Sequence, residues 1–285
     1  MPQQTLVSST CLRGVGLHTG VEVVLRLLPA PPNTGIVFKR IDLPEHISIP
    51  VTPFNIQQSR LNSTLQLGEV KILTIEHLMS ALSGLGIDNV YVEIDGPEVP
   101  IMDGSSAPFM FAIQTAGIKT QAAPRKVLCI TRVVCVKEQD KYAKFSPSQA
   151  FEVEVEIDFS HPVLKNTVSK VQTILNTPAN YINTVSYART FGFVKELEEL
   201  HKNNLARGAS LENVIAIDDD KVVNPDGLRY PDEFARHKVL DAIGDLYTAG
   251  PIRGKFTGYK VGHYLNNSLL RKVLEDKENY IWEEE

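Results

Sequence analysis

Hydrophobic and polar residues alternate with a period of two through much of the first third of the chain. Residues 21–31 (VEVVLRLLPAP) and 35–41 (GIVFKRI) are β-branched runs separated by the turn cluster PPNTG, and they predict two strands. The period then changes. In TIEHLMSALSGLG (74–86), Ile75, Leu78, Met79 and Leu82 recur at i, i+3, i+4 and i+7, the apolar face of a helix that glycines close. NVYVEID (89–95) reads as a strand, GPEVPIMDGSSAP (96–108) as a turn-rich loop, and FMFAIQTAG (109–117) as a helix ending at a glycine. QAAPRK (121–126), polar and proline-bearing, is the linker candidate.

After that segment the order recurs. VLCITRVVCV (127–136), KYAKFSP (141–147) and FEVEVEIDF (151–159) predict strands, and the region from NTPANYINTV (176–185) is mixed. FVKELEELHKNN (193–204) predicts a helix that breaks at Gly208 and leads to NVIAID (213–218). DEFARHKVLDAIGDLYTAG (232–250) is an amphipathic helix, KFTGYKVG (255–262) a strand and YLNNSLLRKVLEDK (264–277) a final helix. The halves rhyme: His77 precedes Gly84 by seven residues, and His237 precedes Gly244 by seven. The match is too short to establish a duplication. A duplication would pack two similar layers of helix on sheet across a pseudo-twofold axis, with the two His-bearing helices between them.

Composition narrows the class. The chain has 285 residues, 43% of them hydrophobic and 22% charged, which fits a soluble globular protein of about two domains. A net charge of −5 lacks the basic footprint of a nucleic-acid binder. No apolar run approaches the ~18 residues that span a bilayer, and MPQQTLVSST has no basic segment leading into an apolar one. The three cysteines, Cys11, Cys129 and Cys135, form neither a disulfide framework nor a CxxC pair. A reduced, cytoplasmic protein is expected.

The sharpest chemistry lies in RHKVLDAIGD (236–245). His237 and Asp241, at i and i+4, present an imidazole and a carboxylate on one helical face, a spacing that suits two ligands of one divalent metal; Asp245 continues the row. The plain alternative is a surface His–Asp pair. Glu76 and His77 are adjacent on a helix and diverge by ~100°. A ligand beside a general base is a workable division: His77 completes a two-His, one-carboxylate set that leaves a position open for water, and Glu76 takes the proton. The plain alternative is a capped helix start with a buried histidine. His263, between a strand and a helix, is a candidate proton donor if a carboxylate such as Asp245 keeps it charged. His18 and Asp103 sit in glycine-flanked turns, Asp103 being equally suited to cap the helix after it. Thr190, in ARTFGF (188–193), can donate to an oxyanion or be an ordinary strand threonine. No GxxxxGK[ST] is present, and GVGLHTG is not a dinucleotide fingerprint.

Taken together, GVGLHTG, TIEHLMSALSGLGIDN, PIMDGSSAPF, ARTFGF, NPDGLRY, RHKVLDAIGDLY and GHYLNN, in this order across nearly the whole chain, resemble the UDP-3-O-acyl-N-acetylglucosamine deacetylases, zinc amidases of lipid A synthesis in Gram-negative bacteria. The resemblance implies an α+β fold: two similar two-layer sheet/helix domains in a β-α-α-β sandwich, 1–122 and 127–285, with the site between them and an acyl-passage insert at about 191–225. It implies zinc on His77, His237 and Asp241, Glu76 as base, His263 as acid beside Asp245, and Thr190 at the oxyanion. Lys238 falls on a head-group contact, Phe159 on a ring that stacks on uracil, and Lys141 and Lys260 on basic residues near the diphosphate; Phe191 joins these substrate contacts. Leu197 and Leu200, on one face of the 193–204 helix with Phe193, suit an acyl wall or plain core packing. Where some members carry a cysteine, this chain has Asn62, so no extra thiolate reaches the metal. The donor set suits zinc, and iron(II) fits it too. A monomer acting on a UDP-sugar lipid, without nucleic acid or membrane anchor, is expected. A kinase-like nucleotide binder lacking a phosphate loop, an inactive relative and a zinc peptidase are the rivals.

Overall fold

Alternating residues build a five-stranded sheet in the first half of the chain and a seven-stranded sheet in the second. The computed structural model describes residues 1–57, 59 and 61–285. The N-terminal half begins with β1 (Pro2–Leu6), β2 (Thr10–Val15), β3 (Glu22–Pro29), β4 (Ile36–Arg40) and β5 (Ile47–Pro50). A small meander follows, β6 (Ile56–Gln57), β7 (Thr64–Leu67) and β8 (Val70–Ile72), then helix α1 (Glu76–Leu85), β9 (Val90–Ile94), α2 (Ala107–Ala116) and β10 (Ile118–Pro124). The C-terminal half continues with β11 (Lys126–Ile130), β12 (Val134–Glu138), β13 (Lys141–Ser146), β14 (Phe151–Glu156), α3 (Pro162–Lys165), β15 (Lys170–Ile174) and α4 (Pro178–Thr184). Then come β16 (Phe191–Phe193), α5 (Leu197–Lys202), β17 (Ile215–Ile217), α6 (Glu233–Leu246), β18 (Ile252–Tyr259), α7 (His263–Glu275) and β19 (Tyr280–Glu284).

The first sheet has the order β2-β3-β9-β4-β5, and the path β12-β13-β18-β14-β15 repeats it strand for strand. In both, the last strand in sequence lies at the centre. It pairs parallel on one side, β9 with β4 and β18 with β14, and antiparallel on the other. A helix leads into that central strand and another follows it in each half: α1 and α2, then α6 and α7. The rhyme in the sequence is therefore a repeat of topology. β18 alternates buried and half-buried residues along its whole length, so one face is core. One core gathers Leu25, Leu27, Phe38, Leu78, Leu82 and Val92; the other gathers Phe145, Val153, Phe234, Leu240, Phe256 and Leu269. Helices of the two halves meet between the sheets.

The meeting of α1 and α6 is unusually close. A Cβ on Gly244 would lie 2.0 Å from the Glu76 carbonyl oxygen, so only a bare Cα fits there. Gly244→Ala gains ~1 kcal/mol of helix propensity but meets rigid backbone, which costs about 1–3 kcal/mol or more. The variant is expected to melt at a lower temperature, because the start of α1 at Glu76 must move; a raised Tm would contradict this packing. At the other end of α1, Gly86 adopts a left-handed φ of 71°, and its N–H closes the helix onto the Leu82 and Ser83 carbonyls.

The structure corrects three expectations and adds a strand. Residues 121–126 are not a loose linker: they fall in β10, paired with β1, and at the start of β11. The polar composition reflects a solvent-facing strand, with a bulge in its pairing between Thr120 and Pro124. Residues 127–136 form two strands, β11 and β12, with a turn at Thr131–Val133 that carries no glycine or proline. The predicted 193–204 helix shrinks to α5 because Phe191–Phe193 pair parallel with Ile215–Ile217. The terminal strand β19, against β11, had no prediction.

Candidate metal centre and active site

The tight contact of α1 with α6 decides which side chains meet. His77 stands in the first turn of α1, and His237 and Asp241 stand one turn apart on α6. Asp241 Oδ1 lies 3.5 Å from His77 Nε2 and 3.2 Å from His237 Nε2. One donor atom from each residue falls within 4.8 Å of the others, and all three residues are buried. The His237 Nδ1–H donates to the Ala188 carbonyl at 2.9 Å, which leaves Nε2 a lone pair directed at a carboxylate oxygen. The Lys238 ammonium holds Asp241 Oδ2 at 2.8 Å, while Oδ1 makes no hydrogen bond. His77 Nδ1 and Asp241 Oδ1 are buried without a hydrogen-bond partner, and three donor atoms that converge so closely in a buried site fit a cation at their centre. Burial pushes the Asp241 carboxyl up, but His237, Lys238 and His77 outweigh it and hold it well below the usual range. Burial drives His77 down, toward the neutral form a ligand needs.

Beside this set lies a second one. Glu76 Oε1 is 3.7 Å from His263 Nε2, and Glu76 Oε2 accepts the Ser63 N–H at 3.0 Å. On the far side of the imidazole, His263 Nδ1 meets Asp245 Oδ2 at 2.9 Å. Asn266 donates to the same carboxylate at 2.8 Å, and the Ser63 hydroxyl donates to it at 2.6 Å. Burial raises the Glu76 carboxyl, His263 opposes this, and the neighbouring Asp245 and Asp241 add to it. His263 moves the other way from what burial alone would do: Asp245 and Glu76 keep it protonated. Glu76 caps no helix, since α1 begins without a side-chain cap.

A cavity of about 390 Å³ opens onto these groups and is lined by Glu76, His77, Thr190, Phe191, His237, Lys238, Asp241 and His263. Phe159, Lys141 and Lys260 border it as well. Phe159 packs edge-on against Phe191 at 5.8 Å, and Lys238 lies 5.6 Å over the Phe191 ring. Thr190 is fixed by its backbone, its N–H on the Gly104 carbonyl and its own carbonyl taking the Ile215 N–H. Lys260 lies between Asp140 at 2.6 Å and Asp158 at 3.0 Å. Leu197 and Leu200 do not border the cavity. They follow β16 on a short helix without buried residues, and Leu197 is 36% exposed; Phe193 takes the wall instead. Asp103 does not cap α2; it accepts from Ser105 and pairs with Arg229 at 2.9 Å.

One residue of the cavity wall and one behind it escaped assignment from sequence. His18, ambiguous there, is 7% exposed with both ring nitrogens unpartnered, on a loop whose N–H groups wrap the buried Glu98 carboxylate. Ser63 carries no motif at all; only its place just before β7 brings it to Glu76 and Asp245. Asn62 uses its side-chain oxygen on the Thr64 hydroxyl.

Two sheet-backed helix layers enclosing a buried two-His, one-Asp set beside a carboxylate and an imidazole define a metal-dependent hydrolase. Comparison with known proteins narrows the class. The LpxC family model, described as UDP-3-O-acyl N-acetylglycosamine deacetylase, matches residues 3–275, and the chain belongs to that family. A protein of Thioalkalivibrio sulfidiphilus named UDP-3-O-acyl-N-acetylglucosamine deacetylase is 50% identical over 282 residues, 99% of this chain and 92% of its own length. Proteins of the same name from Pseudomonas entomophila and Hahella chejuensis are 50% and 51% identical over the same shares.

Proposed function

We propose that His77, His237 and Asp241 hold zinc, which their donor set suits, and that the flanking residues run the hydrolysis. The chain is an amide hydrolase of the deacetylase family, and the reaction removes the N-acetyl group of a UDP-3-O-acyl-N-acetylglucosamine in lipid A biosynthesis. When bound, the metal ionises water near neutral pH and polarises the amide carbonyl.

The protein's own groups do the rest. Glu76 takes the proton of the attacking water at Oε1, the oxygen that Ser63 leaves free. The Thr190 hydroxyl and the His263 imidazolium meet the charge that grows on the amide oxygen. His263 then passes its Nε2 proton to the departing 2-amino nitrogen, and Asp245 at Nδ1 holds the ring in orientation. A sugar amine leaves poorly as an anion, so the acid is required beside the base. Acetate and a free amine result. Lys238, Lys141 and Lys260 offer cations to the diphosphate, and Phe159 with Phe191 offers ring faces to the uridine and sugar. The same reading takes residues 1–122 and 127–285 as the two domains, about 191–225 as the wall of the acyl passage, and the protein as a cytoplasmic monomer. Among the described residues, no helix is long and apolar enough to cross a membrane.

The observation that carries this reading is the convergence of three buried donors from α1 and α6 beside Glu76 and His263. Purified protein is expected to contain roughly stoichiometric zinc by elemental analysis. Acetate release from the N-acetylated nucleotide sugar should vanish on chelation and return with added metal, without ATP turnover or peptide cleavage. Full activity in metal-free protein would overturn the assignment.

A further inference from the structure

Ser63 is 1% exposed and spends every polar group it has. Its N–H goes to Glu76 Oε2, its carbonyl accepts the Ile75 N–H at 3.2 Å, and its hydroxyl goes to Asp245 Oδ1. These three bonds join a loop of the first half, the start of α1, and the carboxylate on α6 that holds His263. Ser63 is thus bonded to both arms that flank the metal-ligand set.

We propose that Ser63 is a positioning residue that registers the base and the acid against each other: its N–H turns Glu76 Oε1 toward His263, and its hydroxyl fixes the Asp245 carboxylate that orients the His263 ring. This rests on the reading of Glu76 as base and His263 as acid. The His263 Nδ1–H reaches both Asp245 oxygens, Oδ1 at 3.0 Å and Oδ2 at 2.9 Å, and Asn266 anchors Oδ2 from outside the ring. The Ser63 hydroxyl anchors Oδ1 in the same way; without it that oxygen is held by the imidazole alone, and the carboxylate plane and the ring can tilt together about Oδ2. Ser63 touches neither the ligand donors nor, at any atom left free, the cavity, so its effect passes through Glu76 and Asp245.

The test uses the full, metal-loaded protein and its N-acetylated nucleotide sugar. Ser63→Ala removes the hydroxyl alone. Metal content and KM should hold while kcat falls about 10-fold, as for other residues that orient a working group at one remove. Ser63→Thr keeps a hydroxyl and should restore most of the loss. In an Asp245→Ala background, removing the hydroxyl should cost nothing further, whereas a merely structural serine would cost the same in both. A readout independent of turnover is the His263 Nδ1–H resonance of the metal-free protein, expected to shift or broaden in Ser63→Ala and to return in Ser63→Thr. If Ser63→Ala does not fold, Ser63→Cys, of similar volume and weakly donating, takes its place with the same expected losses. The underlying reading is tested apart: it fails if Glu76→Ala and His263→Ala both keep turnover. If those variants lose turnover while the Ser63 variant matches the parent in kcat and resonance, the positioning role is overturned.

Discussion

Glu76→Ala protein should keep its metal and lose about 10²–10⁴-fold in kcat, the range spanned by removal of a positioned general base. Two facts separate Glu76 from the proposed ligand set although it adjoins His77. Neighbours on a helix diverge by ~100°, and here that angle turns the carboxylate away from the triad, to His263 Nε2 at 3.7 Å and the Ser63 N–H. Burial raises its pKa, which makes it a stronger base than a solvated carboxylate, while a dication on the adjoining set opposes that rise. The sign of the pH dependence follows. Below the Glu76 pKa the base is protonated and the rate falls as pH falls. Above the His263 pKa, itself raised by Asp245 and Glu76 over the opposing effect of burial, the acid is lost and the rate falls as pH rises. Glu76→Gln should remove the acidic limb and leave the basic one. An acidic limb that persists would place the base on another residue.

His237→Ala should lose metal and turnover together, with kcat down by about 10³-fold or more, at least what one preorganised transition-state stabiliser contributes. His237 is 1% exposed and its tautomer is set by the Ala188 carbonyl, so its Nε2 is held in place toward Asp241. What remains is one imidazole and a carboxylate that Lys238 already holds, too few donors for a four-coordinate site. Elemental analysis decides the matter: a His237→Ala protein with its full complement of metal would take this residue out of the ligand set. The contrast with Glu76→Ala is the informative part, since the two residues lie within one cavity yet only one of them should control metal content.

Long-period signals survived folding best. The faces of α1, α6 and α7 were legible because helical spacing repeats over several turns, and the i, i+4 pair His237/Asp241 needed only the helix to be right. Short strands gave weaker cues. Thr131–Val133 turns the chain with no glycine or proline to announce it, so two strands read as one. Residues 121–126 looked like a linker because a solvent-facing strand is as polar as a loop, and only its pairing with β1 tells them apart. Leu197 and Leu200 matched a helical face, but the parallel pairing of Phe191–Phe193 with Ile215–Ile217 took the first turn of that helix. Ser63 was illegible for a different reason: its partners lie 13 and 182 residues further along the chain, and no periodicity encodes such a meeting.

The order of the ligands along the chain sets when the site can exist. His77 emerges from the ribosome long before His237, Asp241 and His263, and domains fold as they are synthesised, N-terminal first. A nascent or truncated first half carries only His77 of the three converging donors. On the proposed assignment it can neither hold the metal nor hydrolyse an amide until α6 docks against α1, so premature termination yields inert fragments rather than unregulated catalysts.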